Sequence, residues 1–194
     1  MGIDLGRGQA VRLDKRRGGR LPRIRLGLGW RAAQPGGFLG RVFGRRREAD
    51  LDASAVLFAD GEARDVVYFR KLTSSDGSVS HSGDSLTGGE DREDDESITV
   101  DLERVPEHID QIVFTVSSFT GRRFTEVAQA RCRLVDETTG EELARYTLAG
   151  GGEHTGQVMA KVHRAGSGWE LIAIGAPARG RTFQELLPAV KEHL

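Results

Sequence analysis

Sulfur, aromatic rings and long apolar runs are all scarce in this chain of 194 residues. A single cysteine, Cys132, excludes an internal disulfide and any zinc or iron–sulfur site built from several thiolates. No apolar run approaches the roughly 18 residues of a membrane-spanning helix. The N-terminal segment MGIDLGRGQAVRLDKRRGG has no apolar centre, so a secretory signal is not expected. Gly2 lacks the Ser or Thr four positions later that a myristoylation signal requires. The expected address is therefore a cytoplasm of the bacterial type. A Walker loop and a G-x-G-x-x-G fingerprint are both missing, as is the G-x-S-x-G elbow of a hydrolase nucleophile. The five histidines, His81, His108, His154, His163 and His193, are scattered with no pair at metal-ligand spacing. No general base or nucleophile can be named, and the expectation is a protein that is not an enzyme.

What is abundant is glycine and charge. The chain holds 26 glycines, about twice the usual share of roughly 7%, which favours turns and short strands over a helix bundle. The net charge of -1 conceals a segregation: residues 1–49 carry 13 basic and 3 acidic side chains, residues 50–110 carry 5 basic and 17 acidic. A basic arm thus precedes an acidic middle.

The dominant hydrophobic period is two. Ile98, Val100 and Leu102 alternate with Thr99, Asp101 and Glu103, and Ile112, Phe114 and Val116 alternate with Val113 and Thr115. In QARCRLVD, Cys132 and Leu134 face a core while Arg131 and Arg133 face water. This pattern predicts half-buried antiparallel strands. Further strands are predicted at 23–30, 53–59, 65–71, 141–148, 157–164 and 169–175. Asp60-Gly61 and Ala165-Gly166-Ser167-Gly168 read as hairpin loops. Nine or so short strands at this spacing predict an all-β fold, a two-sheet antiparallel β-sandwich formed by one domain over 1–194. A short C-terminal helix is announced by the capping box of Thr182 and Glu185 and by the stripe Phe183, Leu186, Leu187 and Val190, with Pro188 expected to bend or shorten it. Residues 31–49, with Pro35 and Arg45-Arg46-Arg47, read as a basic loop insertion, and 73–97 as a long polar loop.

That polar loop holds Asp84, Glu90, Asp91, Glu93, Asp94, Asp95 and Glu96, seven carboxylates within thirteen positions. Such a run is either a solvated acidic loop or a cation site. Mutual repulsion raises the pKa values of crowded carboxylates, and a hard cation such as calcium, which takes six to eight oxygens in irregular geometry, relieves it. The spacing is not that of an EF-hand. Asp50 and Asp52, on one face of a strand start, form a second acidic pair that a neighbouring loop can complete. His81 is expected to hydrogen-bond within the loop. The basic arm, with Trp30, Phe38 and Phe43, has an alternative reading as a docking surface for nucleic acid or an anionic membrane. Arg23 and Arg25, however, alternate with Ile24 and Leu26 as on the solvent face of a strand.

The segments ADLDASAVLF, SVSHSGDSLTGG, DDESITVDLERVP and QIVFTVSSFTGRRF, in this order, resemble the TerD family of bacterial tellurium-resistance and general stress proteins. LGLGW near the start, LVDETTGEELARYTL and the closing WELIAIG extend the resemblance over nearly the whole chain. The resemblance implies a calcium-binding β-sandwich acting in stress responses, with no established enzymatic activity and with stress-resistance proteins as partners. It makes Asp50, Asp52, Asp84, Asp94, Asp95 and Glu96 the candidate calcium ligands. Three features depart from the family pattern. Arg31 follows the tryptophan where an acidic residue is usual, Arg92 interrupts a longer acidic loop, and 31–49 is basic and expanded. The first two bear on calcium affinity and the number of sites; the third implies a diverged member with its own partner.

Overall fold

Alternating residues become strands here because each can bury one face against a facing sheet. The structure, a computed structural model, describes residues 2–14, 19–32, 50–85, 94–147 and 152–194. Their strands are β1 (Ile3–Asp4), β2 (Ala10–Arg12), β3 (Arg23–Ala32), β4 (Leu51–Ala59), β5 (Glu62–Val67) and β6 (Val79–His81). They continue with β7 (Glu96–Asp101), β8 (Gln111–Ser118), β9 (Val127–Asp136), β10 (Glu141–Thr147), β11 (Gly156–Ala165) and β12 (Gly168–Ala178). A 3-10 turn over Phe124–Glu126 precedes β9, and α1 (Phe183–Lys191) follows β12. One sheet has the order β1-β10-β9-β3-β7-β6 and the other β2-β12-β11-β8-β4-β5. All pairings are antiparallel except β1 with β10. The two-sheet all-β architecture matches the alternation.

The inner faces meet in a core that includes Trp30, Phe114, Ile24, Leu28, Leu57 and Ile98, all at most 1% exposed. The β4–β5 hairpin turns on Asp60 and Gly61, both at positive φ (54° and 76°), as a two-residue turn between twisted strands requires.

Three expectations need correction. β8, expected from its alternation to be half-buried, is buried on both faces: α1 lies over the outer faces of β8 and β4, where Val56, Phe58, Val113 and Val190 form a second apolar cluster. Pro188 lies within α1, which runs three residues beyond it. Residues 73–97 are not one loop, because Val79–His81 adds the edge strand β6 to β7. The strand predicted at 65–71 lies at Glu62–Val67 and is followed by a tight bridge between Tyr68 and Lys71. The basic loop predicted at 31–49 falls, beyond Arg31 and Ala32, outside the described residues, as do Glu90, Asp91, Arg92 and Glu93.

Candidate metal centre

The end of the sandwich where β4 begins brings both sheets together. β4 enters beside the last residues of β8, with Leu51 opposite Ser118 and Asp52 opposite Ser117. The chain leaving β6 carries Asp84 to the same place. One carboxylate oxygen each from Asp50, Asp52 and Asp84 lies within 4.8 Å of the other two. Asp52 is 5% exposed. Its Oδ2, and Oδ1 of Asp50, are shielded from solvent and have no hydrogen-bond partner among the described residues. Buried carboxylate oxygens are normally paired, so these two are aimed at something that the described residues do not supply.

The electrostatics agree. Burial, reinforced by the negative charges of Glu96, Asp50 and Asp84, pushes Asp52 up to about 8. Burial and the charges of Asp84 and Glu96 push Asp50 up to about 6. Each carboxyl resists ionisation because the others are close and water is excluded. A divalent cation reverses both effects by screening the repulsion and taking the place of the missing solvent. The donors are all hard oxygens, the set that suits calcium or magnesium rather than zinc or copper.

The other three candidates are adjacent in sequence and go three separate ways. Glu96, 1% exposed, accepts from Ala53 N at 2.8 Å with Oε2 and from Ser85 N at 3.2 Å with Oε1. It thereby ties β7 to β4 across the two sheets and holds the Asp84 segment beside them. His81 completes this tie. Its Nδ1 accepts from Gly83 N at 3.0 Å, which leaves the ring proton on Nε2, 3.2 Å from the carbonyl oxygen of Ala53. The hydrogen-bonding role expected of His81 is what the structure shows. Asp95 uses Oδ2 to accept from Trp30 N at 2.8 Å, while its own N–H donates to Leu28 O at 2.8 Å. It thus covers the register shift between Gly29 and Arg31 in the pairing of β3 with β9. Asp94 receives Arg133 Nε at 2.6 Å and Nη2 at 2.9 Å, and also pairs with Arg25.

Asp50, Asp52 and Asp84 are therefore gathered, Glu96 stands directly behind them, and Asp94 and Asp95 face other groups. Arg133, expected on a water-facing strand edge, is 8% exposed because Asp94 lies over it. Beside Asp52 opens a feature with no sequence signal, a cleft lined by Tyr68, Phe119, Phe183, Arg70 and Arg181. Its residues come from segments far apart in the chain, and no motif links them. Among the described residues, no helix is long and apolar enough to cross a membrane.

Comparison with known proteins places the chain as a whole. Residues 1–188 match the TerD domain family. The chain is 43% identical over 185 residues to the tellurium resistance protein TerZ of Serratia marcescens, covering 95% of this chain and 94% of that protein. It is 34% identical to stress response protein SCP2 of Bacillus subtilis (strain 168), over 96% and 98% of the two chains. A crystal structure of a homologue of telluride resistance protein (TerD) from Streptomyces coelicolor A3(2) shares the fold with a TM-score of 0.68 at 23% identity, over 84% and 94% of the two chains.

Proposed function

The chain belongs to the TerD family, whose members include tellurium-resistance and stress-response proteins, and we propose that within it this protein is a non-enzymatic calcium-binding module of the cytoplasm. Asp50, Asp52 and Asp84 are the residues that would hold the ion, with Glu96 as the positioning residue that sets their spacing. The observation that carries this reading is the pair of solvent-shielded carboxylate oxygens, on Asp50 and Asp52, with no hydrogen-bond partner among the described residues. A merely solvated acidic loop would turn those oxygens to water.

Three side chains supply fewer oxygens than the six to eight calcium takes. The remaining positions fall to water, backbone carbonyls or a bound anion. Binding would neutralise a locally acidic end of the sandwich and join β4 to the chain after β6, so its effect is expected on stability and surface charge rather than on bond making. A role in stress response is then that of a calcium-dependent binding surface for other molecules.

Titration calorimetry on chelator-stripped protein tests the reading. Calcium should bind with defined stoichiometry, and thermal unfolding should shift upward by mass action, by about 2.7 kcal/mol of stabilisation at a hundredfold excess over Kd. Asp52→Asn should abolish both signals. If calcium leaves the melting temperature unchanged, the three aspartates do not form an ion site.

A further inference from the structure

The cleft beside Asp52 has a volume of about 110 Å³ and combines three kinds of wall. Its floor is polar: Asp52 and Ser54 from β4 and Ser117 from β8. Its sides are aromatic and already ordered against one another. The Tyr68 and Phe183 rings lie 4.9 Å apart, and Phe69 meets Phe119 edge-on at 6.0 Å. Its rim is positive. Arg70 lies over the Phe69 ring at 5.2 Å. Arg181 donates from Nε and Nη2 to the Phe119 carbonyl at 2.9 and 2.7 Å, which fixes the guanidinium in one orientation. Thr182, the N-cap of α1, and Phe183 and Gln184, its first residues, also line the cleft and add the positive end of the helix dipole.

These walls exclude simple occupants. A bare anion on the floor finds only carboxyl and hydroxyl groups and no cation, and an organic cation at the rim meets two guanidiniums. A purely apolar guest leaves the floor unpaired, including the shielded Oδ2 of Asp52. The arrangement is satisfied by a metal ion on the aspartates together with an oxyanion reaching from that ion to the arginines. A phosphate monoester offers three terminal oxygens, enough to meet the ion and both guanidiniums from different directions, whereas a carboxylate offers two in one plane. A cavity of about 150 Å³ accepts benzene, so this smaller one takes the phosphate and the first atoms of its ester. The rest of such a ligand would lie against Phe119, which is 38% exposed.

We propose that this cleft binds the phosphate end of a small phosphomonoester carrying an apolar or planar group, with the phosphate completing the coordination of the calcium ion held by Asp50, Asp52 and Asp84. The inference rests on the calcium reading above and adds the class of ligand that the loaded site takes. Calcium then acts as the switch that places a cation on a floor otherwise lined by carboxyl and hydroxyl groups.

The test uses the full chain and phenyl phosphate in two calorimetric titrations. Calcium is titrated alone into stripped protein first, and phenyl phosphate is then titrated into calcium-saturated and chelator-treated samples, with phenol and inorganic phosphate as controls. The expected result is phenyl phosphate binding that weakens at least tenfold without calcium and exceeds that of phenol and of inorganic phosphate. Arg70→Ala and Arg181→Met should each weaken it several-fold while the calcium Kd stays unchanged. Arg70 is exposed and outside the core, so its removal leaves folding intact even where Arg181→Met loosens the Phe119 turn. Failure of the first titration overturns the calcium reading and the cleft assignment together. Intact calcium binding overturns the cleft assignment alone if phenyl phosphate does not bind, binds equally without calcium, binds no better than phenol, or ignores both arginine substitutions.

Discussion

Nε2 of His81 lies 3.5 Å from Oε2 of Glu96, and both side chains are fully shut off from solvent. Both groups converge on one residue of the facing sheet: the carboxylate accepts from Ala53 N and the imidazole faces Ala53 O. The peptide groups of β4 next to Asp52 are therefore satisfied by side chains of the opposite sheet rather than by a ladder neighbour. This fixes the distance between the Asp50–Asp52 segment and the chain carrying Asp84.

From this tie follows a graded effect at position 96. Glu96→Ala leaves the N–H groups of Ala53 and Ser85 without their acceptor and should cost about 2–3 kcal/mol. Glu96→Gln keeps one carbonyl acceptor and should cost about half as much. Denaturant unfolding of the chelator-treated variants measures both. Equal stability of wild type and Glu96→Ala would show that the cross-sheet tie contributes nothing.

Asp52 links stability to pH with a definite sign. Its carboxyl holds its proton up to about 8 in the folded chain, against an ordinary value of 3.8, so the folded state binds the proton more tightly than the unfolded state. In metal-free protein this contribution is fully present below 3.8, declines as pH rises, and is lost above about 8. Asp52→Asn cannot ionise. In chelator its stability relative to wild type should therefore rise from acid pH and level off above about pH 8, with a gain on the order of 1–2 kcal/mol. With saturating calcium the order reverses, since only the wild type is stabilised. Thermal melts of both proteins at pH 5.5 and 8.5, with chelator and with calcium, give the four differences between variant and wild type that are required. A difference that shrinks with rising pH in chelator contradicts the assignment.

Strands β7, β8 and β9 announce themselves by period two, because each buries alternate apolar side chains in one core. Others are less visible for physical reasons. β1 and β2 have two and three residues, too few for any period. β6 does alternate, with Val79 and His81 buried and Ser80 exposed, but only one of the three is apolar. The acidic run Asp94-Asp95-Glu96 shows why carboxylate density alone misleads. Side chains entering a strand point alternately to its two faces, so neighbours in sequence are delivered to different partners. Asp50, Asp52 and Asp84 come together only because β4 and the chain after β6 belong to different sheets that meet at one end. Composition does not record that meeting, although the order of the DLDAS and DDE segments carries it through family resemblance.

Asp94 provides the contrasting prediction. It lies against Arg133 and Arg25, and the side chains of Asp94 and Arg133 are 8% and 9% exposed. Removing Asp94 takes away the shared acceptor of two guanidiniums, although Arg25 keeps Glu137 at 2.7 Å and Arg133 keeps Glu142 at 3.8 Å, so Asp94→Ala should destabilise the protein by about 1–3 kcal/mol. The calcium stoichiometry should nevertheless stay that of the wild type. Asp52→Asn should behave oppositely, folding well and losing the ion. Calorimetry at a temperature where Asp94→Ala remains folded separates the two roles. Loss of calcium binding in folded Asp94→Ala would move this residue into the ion site.

Gly27 supplies the space in which that ion pair sits. It pairs with Ser97 on β7 and Arg133 on β9, and a Cβ placed on it would overlap the Asp94 carboxylate. Its φ is not positive, so the requirement for glycine is purely one of volume. Gly27→Ala should displace Asp94 from the two guanidiniums and cost about 1–3 kcal/mol, the usual range for overpacking a filled site. Most of that cost should vanish in a Gly27→Ala, Asp94→Ala double variant, because the methyl then occupies room the carboxylate has left. Urea unfolding of the two single variants and the double variant completes the cycle. Additive losses would mean that the methyl meets some group other than Asp94, and the close approach of this carboxylate to β3 would not be the reason for glycine at this position.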